Sequence, residues 1–336
     1  MKKRIVSCLL LLLLVLGLTG CDFTFSEGDS SLLSTSVTVT LRCGNGEADG
    51  VVRLPVGSRL PTPASPEKAG WIFRGWYTDD ALTKSYDFSL AVNRDLTLFA
   101  GYLPDYEQWT NRLTDAVMPS LVLVRTATAT AAGRGTKTGS GIIFLAEQDG
   151  SDIIYYLLTN HHVVTDAVAG GLFDISPYTV EDYRGESGYR NVTLLASSAA
   201  YDLAVLRMRG AADAGYKLPA LPFAAACAGV GEAVAAIGQP GGQRNALTYG
   251  HAGECRVLGT PADSDDSQVT FPVLYHTAPI ASGSSGGAVL NFTGELVAVN
   301  FAGAYSEEGV FRAGIAIPVE RVLEYLQTIP EVAALL

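Results

Sequence analysis

Histidine and cysteine are scarce in this chain, with four and five copies in 336 residues, and no two cysteines stand at a CxxC spacing. Metal sites are built from clustered His, Cys and carboxylate ligands at short spacings, so the sequence gives no support for a bound metal, and no cofactor is expected. Basic residues are also few: 23 Lys and Arg stand against 34 Asp and Glu, a formal charge of -11. Three of those bases, Lys2, Lys3 and Arg4, fall in the first twenty residues, which hold no acid; the remainder has 20 bases, 34 acids and a charge of -14. So acidic a surface has no field to attract nucleic acid or anionic lipid, and neither is expected as a partner. Beyond residue 20 no stretch approaches the roughly 20 apolar residues that a membrane-spanning helix needs. Charged residues make up only 17% against 48% hydrophobic, which excludes a disordered polymer and leaves ample material for a core. The length suits about two domains. The 36 glycines suit β structure with many turns and bulges.

Lys2, Lys3 and Arg4 precede an apolar run from Leu9 to Leu16, followed by Gly17-Leu18-Thr19-Gly20-Cys21. A basic start, a short apolar stretch and small residues before a cut site make residues 1–20 a secretory signal, too short to span a bilayer. Leu18-Thr19-Gly20-Cys21 resembles the bacterial lipobox, in which a peptidase cuts before a cysteine that becomes lipid-modified. The resemblance implies that Cys21 is the mature N-terminus and the lipid anchor, holding the protein on the extracytoplasmic side of a membrane it does not cross. The alternative is an ordinary secretory signal with a chance cysteine. With Cys8 discarded and Cys21 acylated, Cys43, Cys227 and Cys255 remain, and three cannot all pair within one chain. A Cys227–Cys255 bridge is open in an oxidising compartment, although nothing in the spacing demands it; buried thiols are the expectation.

Residues 21–35 are polar and Ser-rich, a tether without periodicity. Residues 36–103 read as a small module. Val37, Val39 and Leu41 alternate as a strand, Gly44-Asn45-Gly46 makes a turn, and Pro61, Pro63 and Pro66 mark an extended connection. Gly70-Trp71-Ile72-Phe73-Arg74-Gly75-Trp76-Tyr77 is then followed by Tyr86-Asp87-Phe88 and by alternating Leu96, Leu98 and Ala100. That order resembles one copy of the Listeria–Bacteroides repeat, also called the internalin B-repeat. Its ending departs, with Gly101-Tyr102 where the family usually has a basic residue and Trp. The resemblance implies a small α+β module of the kind used as a spacer or interaction unit on bacterial surfaces, so a surface partner is conceivable. Trp71, Phe73, Trp76 and Tyr77 are expected to fill its core.

From residue 104 to 336 the texture changes to many short β runs, among them Leu121–Val124, Gly141–Leu145, Ile153–Thr159, Val192–Leu195, Leu203–Leu206 and Val234–Gly238. Further runs are Val269–Phe271, Ala288–Leu290, Leu296–Phe301 and Gly314–Ile317. Strands so spaced, with Gly-rich turns, predict a sandwich or barrels. Val319, Val322, Leu323 and Leu326 fall at helical spacing after Pro318 and predict one closing helix.

A serine hydroxyl is a poor nucleophile until a base takes its proton, and the base needs a carboxylate to hold its tautomer. The oxyanion that develops needs convergent backbone N–H donors, which a Gly-rich turn can supply. Gly283-Ser284-Ser285-Gly286-Gly287 is such a turn. Thr159-Asn160-His161-His162-Val163-Val164 ends one apolar strand and Tyr201-Asp202-Leu203-Ala204 begins another. The order His, Asp, Ser is that of chymotrypsin-type proteases. These segments closely resemble the bacterial HtrA/DegP proteases, whose motifs read Thr-Asn-x-His-Val, Asp-[Leu/Ile]-Ala-[Val/Leu] and Gly-Asn-Ser-Gly-Gly. Thr138-Gly139-Ser140-Gly141-Ile142, Ile237-Gly238-Gln239-Pro240, Asn291–Val297 and Gly314-Ile315-Ala316-Ile317-Pro318 match in the right order, from about residue 112 to 328.

The resemblance implies a mainly β, chymotrypsin-like double β-barrel with a C-terminal helix, acting on protein or peptide substrates as a serine endopeptidase. It assigns His162 as general base, Asp202 as its orienting carboxylate, Ser285 as nucleophile, and the N–H groups of Gly283 and Ser285 as the oxyanion hole. The family pattern places the imidazole directly before Val-Val, which selects His162 over His161; His251 and His276 match no catalytic position. Asp166, Asp174 and Asp182 rival Asp202 only if the pattern is ignored. Ser284 replaces the usual Asn, Thr277 an Asp and Ala281 an Asn. Pro279, six residues before Ser285, stands where an acid gives trypsin-like enzymes their preference for Lys and Arg. Pro279, Ile280 and Ala281 are therefore expected to line a pocket for small or aliphatic side chains. The family's usual PDZ domains and N-terminal oligomerisation segment have no counterpart in the sequence, which leaves the oligomeric state open. The rival functions are a protease fold that binds chains without cutting them and an adhesion protein led by the repeat.

Overall fold

A computed structural model describes residues 36–130, 133–168, 176–211, 217–258 and 268–336. The signal, Cys21, the tether and Asp174 lie outside the described residues. The chain divides into two compact units, one drawn from residues up to Ala64 and Trp76–Ala100, the other from Ser65–Gly75 and Gly101–Leu336.

The first unit is organised by β1 (Ser36–Arg42), whose alternation puts Val37, Val39 and Leu41 on its buried side. After the Gly44–Gly46 turn, where both glycines take positive φ, β2 (Gly50–Pro55) returns antiparallel to β1. A short pair is made by β3 (Ser58–Arg59) and β5 (Ala91–Val92), and β4 (Trp71–Tyr77) lies between them in sequence. Strand β6 (Leu96–Pro104) runs parallel to β1 and completes the order β2-β1-β6-β4. The four aromatics of β4 do not form one core. Trp76 is 3% exposed, whereas Trp71, Phe73 and Tyr77 are half-buried. Side chains of a strand alternate, so positions 71, 73 and 77 share one pleat face and 76 takes the other. No helix occurs among the described residues of this unit. Between β4 and β5 the chain turns on carboxylates instead: Asp79 accepts from Thr83 N–H (2.7 Å) and Asp87 from Ser89 N–H (2.8 Å).

In the second unit α1 (Tyr106–Arg112) is capped by Asp105, which accepts from Gln108 N–H (3.0 Å). The helical path continues through a π turn at Leu113–Val117 and a tight turn at Met118–Ser120. Trp109, Leu113 and Val117, four residues apart, form its buried face. Trp109 meets the rings of Tyr249 and Phe292 at 5.1 and 5.2 Å. This helix is not among the elements expected above, although its apolar spacing is a helical signal.

The first sheet of the unit holds β7 (Leu121–Thr130), β8 (Gly133–Asp149), β9 (Asp152–Thr159), β10 (Tyr178–Glu181), β11 (Arg190–Ser198) and β12 (Leu203–Ala211). Their order is β10-β7-β8-β9-β12-β11, all antiparallel, with the one-turn helix α2 (His161–Val164) directly after β9. The second sheet holds β13 (Ala233–Gly238), β14 (Ala246–Arg256), β15 (Val273–His276), β16 (Ala288–Leu290), β17 (Leu296–Tyr305) and β18 (Phe311–Pro318). It closes as a six-stranded barrel, β13-β14-β15-β18-β17-β16. One barrel thus closes by hydrogen bonds, and its partner is a six-stranded sheet ending at β10 and β11. Val269–Phe271 is not a strand. Pro272 has no N–H to give a ladder, and β15 begins directly after it, while Val269 and Phe271 still pack against the core. Two helices, α3 (Val319–Gln327) and α4 (Pro330–Ala333), follow β18. Val319, Val322 and Leu326 are buried as the spacing requires, joined by Tyr325, with Leu323 only half-buried. Leu121, Ile142 and Leu158 of the first sheet share one apolar cluster with Ile237, Leu290 and Ile317 of the second and Leu326 of α3. Both sheets therefore hold one another rigidly at the place where their loops meet.

Candidate active site

Pairing of β12 with β9 sets Ala204 opposite Thr159, and this register brings the turn before β12 beside the helical turn after β9. Asn160, fully buried, ties the two by donating its Nδ2–H to the Asp202 carbonyl (2.8 Å). Asp202 takes φ 48°, a left-handed conformation few non-glycine residues adopt, and its side chain is fully buried. His162 meets that carboxylate twice: its backbone N–H donates to Oδ1 (3.1 Å), and Nδ1 lies 2.9 Å from Oδ2 and 3.2 Å from Oδ1. A carboxylate can only accept, so Nδ1 carries the proton and Nε2 is left as a proton acceptor.

Ser285 sits in the turn between β15 and β16. Gly283 (φ 94°) and Gly286 (φ 82°) are left-handed, and a Cβ would come within 2.7 Å of the Gln239 carbonyl at the first and 2.1 Å of the Ser140 carbonyl at the second. Only glycine fits either position. Within the turn, Ser284 N–H donates to Ala281 O (2.9 Å), Gly287 N–H to Ser284 O (2.9 Å) and Gly286 N–H to Asn300 O (2.8 Å). The Ser284 hydroxyl accepts from Ala281 N–H (3.2 Å), so a serine before Ser285 keeps the turn tied. Gly241 N–H draws the Ser282 carbonyl aside (2.7 Å). Among the described residues no protein acceptor takes the N–H of Gly283 or of Ser285. The Ser285 hydroxyl donates to the Phe301 carbonyl (3.3 Å), so this apo arrangement couples His162 to Asp202 but not yet to the serine.

His162, Gly283 and Ser285 line one cleft of about 660 Å³, shared with Lys137 and Gly242. Pro279, Ile280 and Ala281 line a second cavity of about 170 Å³ with Ile237, Thr248 and Asn300, and among the described residues no charged side chain borders it. Beneath it, His276 bonds the Asn300 side-chain oxygen (2.8 Å); burial pushes the imidazole pKa down, outweighing the bonds to Asn300 and Ala278, and keeps the ring neutral.

The other candidates are occupied elsewhere. His161 bonds the Ser197 hydroxyl, and His251 is exposed. Asp166 pairs with Lys137 at 2.9 Å. Asp182 is buried and accepts from the Arg184 guanidinium (2.7 Å), the N–H groups of Arg184 and Glu186, and the Tyr189 hydroxyl. Cys43, Cys227 and Cys255 form no disulfide, and the thiols expected to be buried are not: Cys43 and Cys227 are half-buried and Cys255, which follows a bulge in β14, is exposed. Burial, with the neighbouring Cys255 thiol and Glu320, pushes the Cys227 thiol up to about 12. Among the described residues no three His, Cys, Asp or Glu side chains are grouped to hold a metal ion. Ser140 and Phe301, to which no motif assigns a role, touch the serine turn only because of how the sheets pack.

Residues 139–299 match the family model of the trypsin-like peptidase domain, and residues 38–101 that of the Listeria–Bacteroides repeat domain; the chain carries both. The serine protease Do-like HtrB of Bacillus subtilis is 34% identical over 192 residues, covering 56% of this chain and 38% of its own length. A probable periplasmic serine endoprotease, DegP-like, of Hahella chejuensis is 30% identical over 201 residues, covering 59% of this chain and 36% of its own. The chain thus spans less than two fifths of the length of either relative. The solved structure of the HtrA-type protease AlgW with a tripeptide superposes with a TM-score of 0.52 at 25% identity, covering 66% of this chain and 63% of that one. The mainly β, chymotrypsin-like fold and the likeness to HtrA/DegP proteases are those expected from the motifs.

Burial opposes ionisation of Asp182, but its bonds to Arg184, Glu186 and Tyr189 outweigh it and hold the carboxyl below its ordinary value of 3.8. Its stabilising contribution is therefore present at neutral pH and lost as pH falls through that lowered value. Asp182→Asn should lower stability at neutral pH by about 1.5–3 kcal/mol, the range for hydrogen bonds to a charged group. In urea unfolding the variant and the wild type should converge as the pH is lowered past the carboxylate range.

Proposed function

We propose that this chain, with its trypsin-like peptidase domain, is an extracytoplasmic serine endopeptidase of the HtrA-like type that works through Ser285, His162 and Asp202. The observation that carries the reading is the buried Asp202 carboxylate fixing His162 in one tautomer beside a serine turn whose two amides are untaken. In this mechanism the Ser285 hydroxyl leaves the Phe301 carbonyl by rotation about its side-chain bond and turns to His162 Nε2. Its oxygen attacks the peptide carbonyl carbon while the proton passes to Nε2. Asp202 stabilises the imidazolium so formed, and the N–H groups of Gly283 and Ser285 take the negative charge on the carbonyl oxygen. His162 then gives the proton to the leaving amine, which departs and leaves an acyl group on Ser285. Water, losing a proton to Nε2, hydrolyses that ester and frees the serine.

The 170 Å³ cavity beside the turn takes the side chain before the cut bond. With Pro279 in place of an acid and no charge on its walls, desolvating a Lys or Arg there has no compensation, so small and aliphatic side chains fit best. At the membrane, Cys21 serves as the lipid anchor, in keeping with the lipobox resemblance, and the extracytoplasmic side agrees with the periplasmic name of one relative. A second reading, a resting protease fold that binds without cutting, is favoured by the bond from Ser285 to Phe301.

A fluorophosphonate should label the purified full chain, and Ser285→Ala and His162→Ala should abolish the label while remaining folded. Asp202→Asn should lower kcat by about 10⁴-fold by stranding His162 in the wrong tautomer. Folded wild type that takes no label would favour the resting reading. In a peptide library, Ala or Val before the cut bond should exceed Lys or Arg in kcat/KM by at least about 10-fold; the reverse order would exclude the pocket assignment. In a bacterial host fed a tagged fatty acid, the full-length chain should carry the tag and sediment with membranes. Cys21→Ala should lose both, and retention of the tag would exclude Cys21 as the anchor.

A further inference from the structure

Ser140 lies in β8, on the first sheet, with no exposed surface. Every polar atom it has is engaged with the serine turn or with the segments that support it. Its N–H donates to the Ser285 carbonyl (2.7 Å) and its carbonyl accepts from the Thr159 hydroxyl (2.7 Å). Its own hydroxyl lies 2.8 Å from the Gly283 carbonyl and 2.9 Å from the Gln239 amide nitrogen. Those two bonds have only one possible direction. A carbonyl cannot donate and an amide N–H cannot accept, so the single hydroxyl proton goes to Gly283 and the lone pair faces Gln239.

The peptide groups of the turn are fixed one by one. The Ser282–Gly283 peptide is turned by Gly241 N–H on the Ser282 carbonyl, which aims the Gly283 N–H the opposite way because the peptide is planar and trans. The Gly283–Ser284 peptide is held by the Ser140 hydroxyl on one side and by the Ser284–Ala281 bond on the other. The Ser285–Gly286 peptide is held by the Ser140 N–H and by Asn300. Gln239, which Ser140 also binds, leads through Pro240 directly into Gly241. Gly283, at φ 94°, has no side chain to resist rotation, so its orientation depends on these bonds.

We propose that Ser140 is the positioning residue for the oxyanion-binding turn, its hydroxyl holding the Gly283 carbonyl inward so that the Gly283 and Ser285 N–H groups converge on the cleft. This rests on the reading of Ser285 as nucleophile and goes beyond it, because it makes the first sheet a direct determinant of oxyanion binding in the second. The residue touches no substrate; it acts through Gly283.

The test is steady-state hydrolysis of a matched ester and thionoester by the full chain, with Ser140→Ala and Ser140→Cys beside the wild type. Thiocarbonyl sulfur accepts hydrogen bonds poorly, so the ester advantage over the thionoester reports the oxyanion donors. Both variants should lose about 10- to 100-fold in kcat, less than the roughly 10²–10³-fold loss on removing a donor outright. KM should stay near that of wild type, and the ester advantage should shrink by a similar factor. Cysteine nearly matches serine in volume but is a weak donor, so a role in packing alone predicts a wild-type Ser140→Cys. That result, or an undiminished ester advantage in either folded variant, would overturn the proposal. If the wild type hydrolyses neither ester, the endopeptidase reading falls and this proposal with it; an active wild type with unaffected variants removes only the role of Ser140.

Discussion

The site depends on a carboxylate that has been taken wholly out of water. A buried carboxyl group without partners is costly, and His162 gives Asp202 both a backbone and a ring N–H. The same two bonds choose the imidazole tautomer and aim Nε2 at the cleft. Neither residue could be placed so without the pairing of β9 with β12, which sets the ends of two strands about forty residues apart side by side. Asn160 then locks the Asp202 backbone in a left-handed conformation that it would not hold unaided. A electrostatic requirement is thus met by strand register, and the chemistry inherits its precision from the sheet.

The serine turn is governed by a different constraint, the absence of side-chain volume. Its backbone passes so close to Gln239 and Ser140 that no Cβ fits at Gly283 or Gly286. Close approach removes water and lets neighbouring segments satisfy nearly every carbonyl in the turn, which leaves its untaken N–H groups facing the cleft. The turn is held from the outside by the first sheet through Ser140, by the Gln239–Gly241 segment and by Asn300 on β17. His276, buried and held neutral by that burial, bonds the side chain of Asn300, which lines the side pocket.

Around these two constraints the rest of the second unit is a frame. A single apolar cluster runs from Trp109 on α1 through both six-stranded sheets to Leu326 on α3. Well-packed interiors deform little, and that stiffness keeps loops from opposite sheets in register with each other. The first unit is built on another plan, a small sheet in which β1 and β6 pair in parallel from Val39 opposite Leu96 to Arg42 opposite Phe99.

Much of this was legible from residue order. Strand alternation at Val37, Val39 and Leu41, the β runs of the second unit, the α3 stripe and the ordered His162, Asp202 and Ser285 motifs are local patterns. Such patterns depend on backbone period, or on chemistry that needs given residue types at given spacings. The side pocket was also legible, since Pro279, Ile280 and Ala281 precede the serine turn on the same stretch of chain. Other features were not. The helix at α1 carries only one buried apolar residue of its own, Trp109, its stripe being completed in the π turn that follows, and the four aromatics of β4 do not cluster because a strand must send Trp76 to the opposite face. Pro272 delayed a strand that hydrophobicity alone would have begun at Val269. By itself the sequence determined the family of fold, the motifs that carry His162, Asp202 and Ser285, and the glycines around Ser285, because each is dictated by a short local pattern. Only the tertiary structure decided that one barrel closes while its partner remains an open sheet, that Ser285 rests on Phe301, and that Ser140 holds the serine turn. Those are contacts between segments far apart in the chain, chosen by packing, and no local period encodes them.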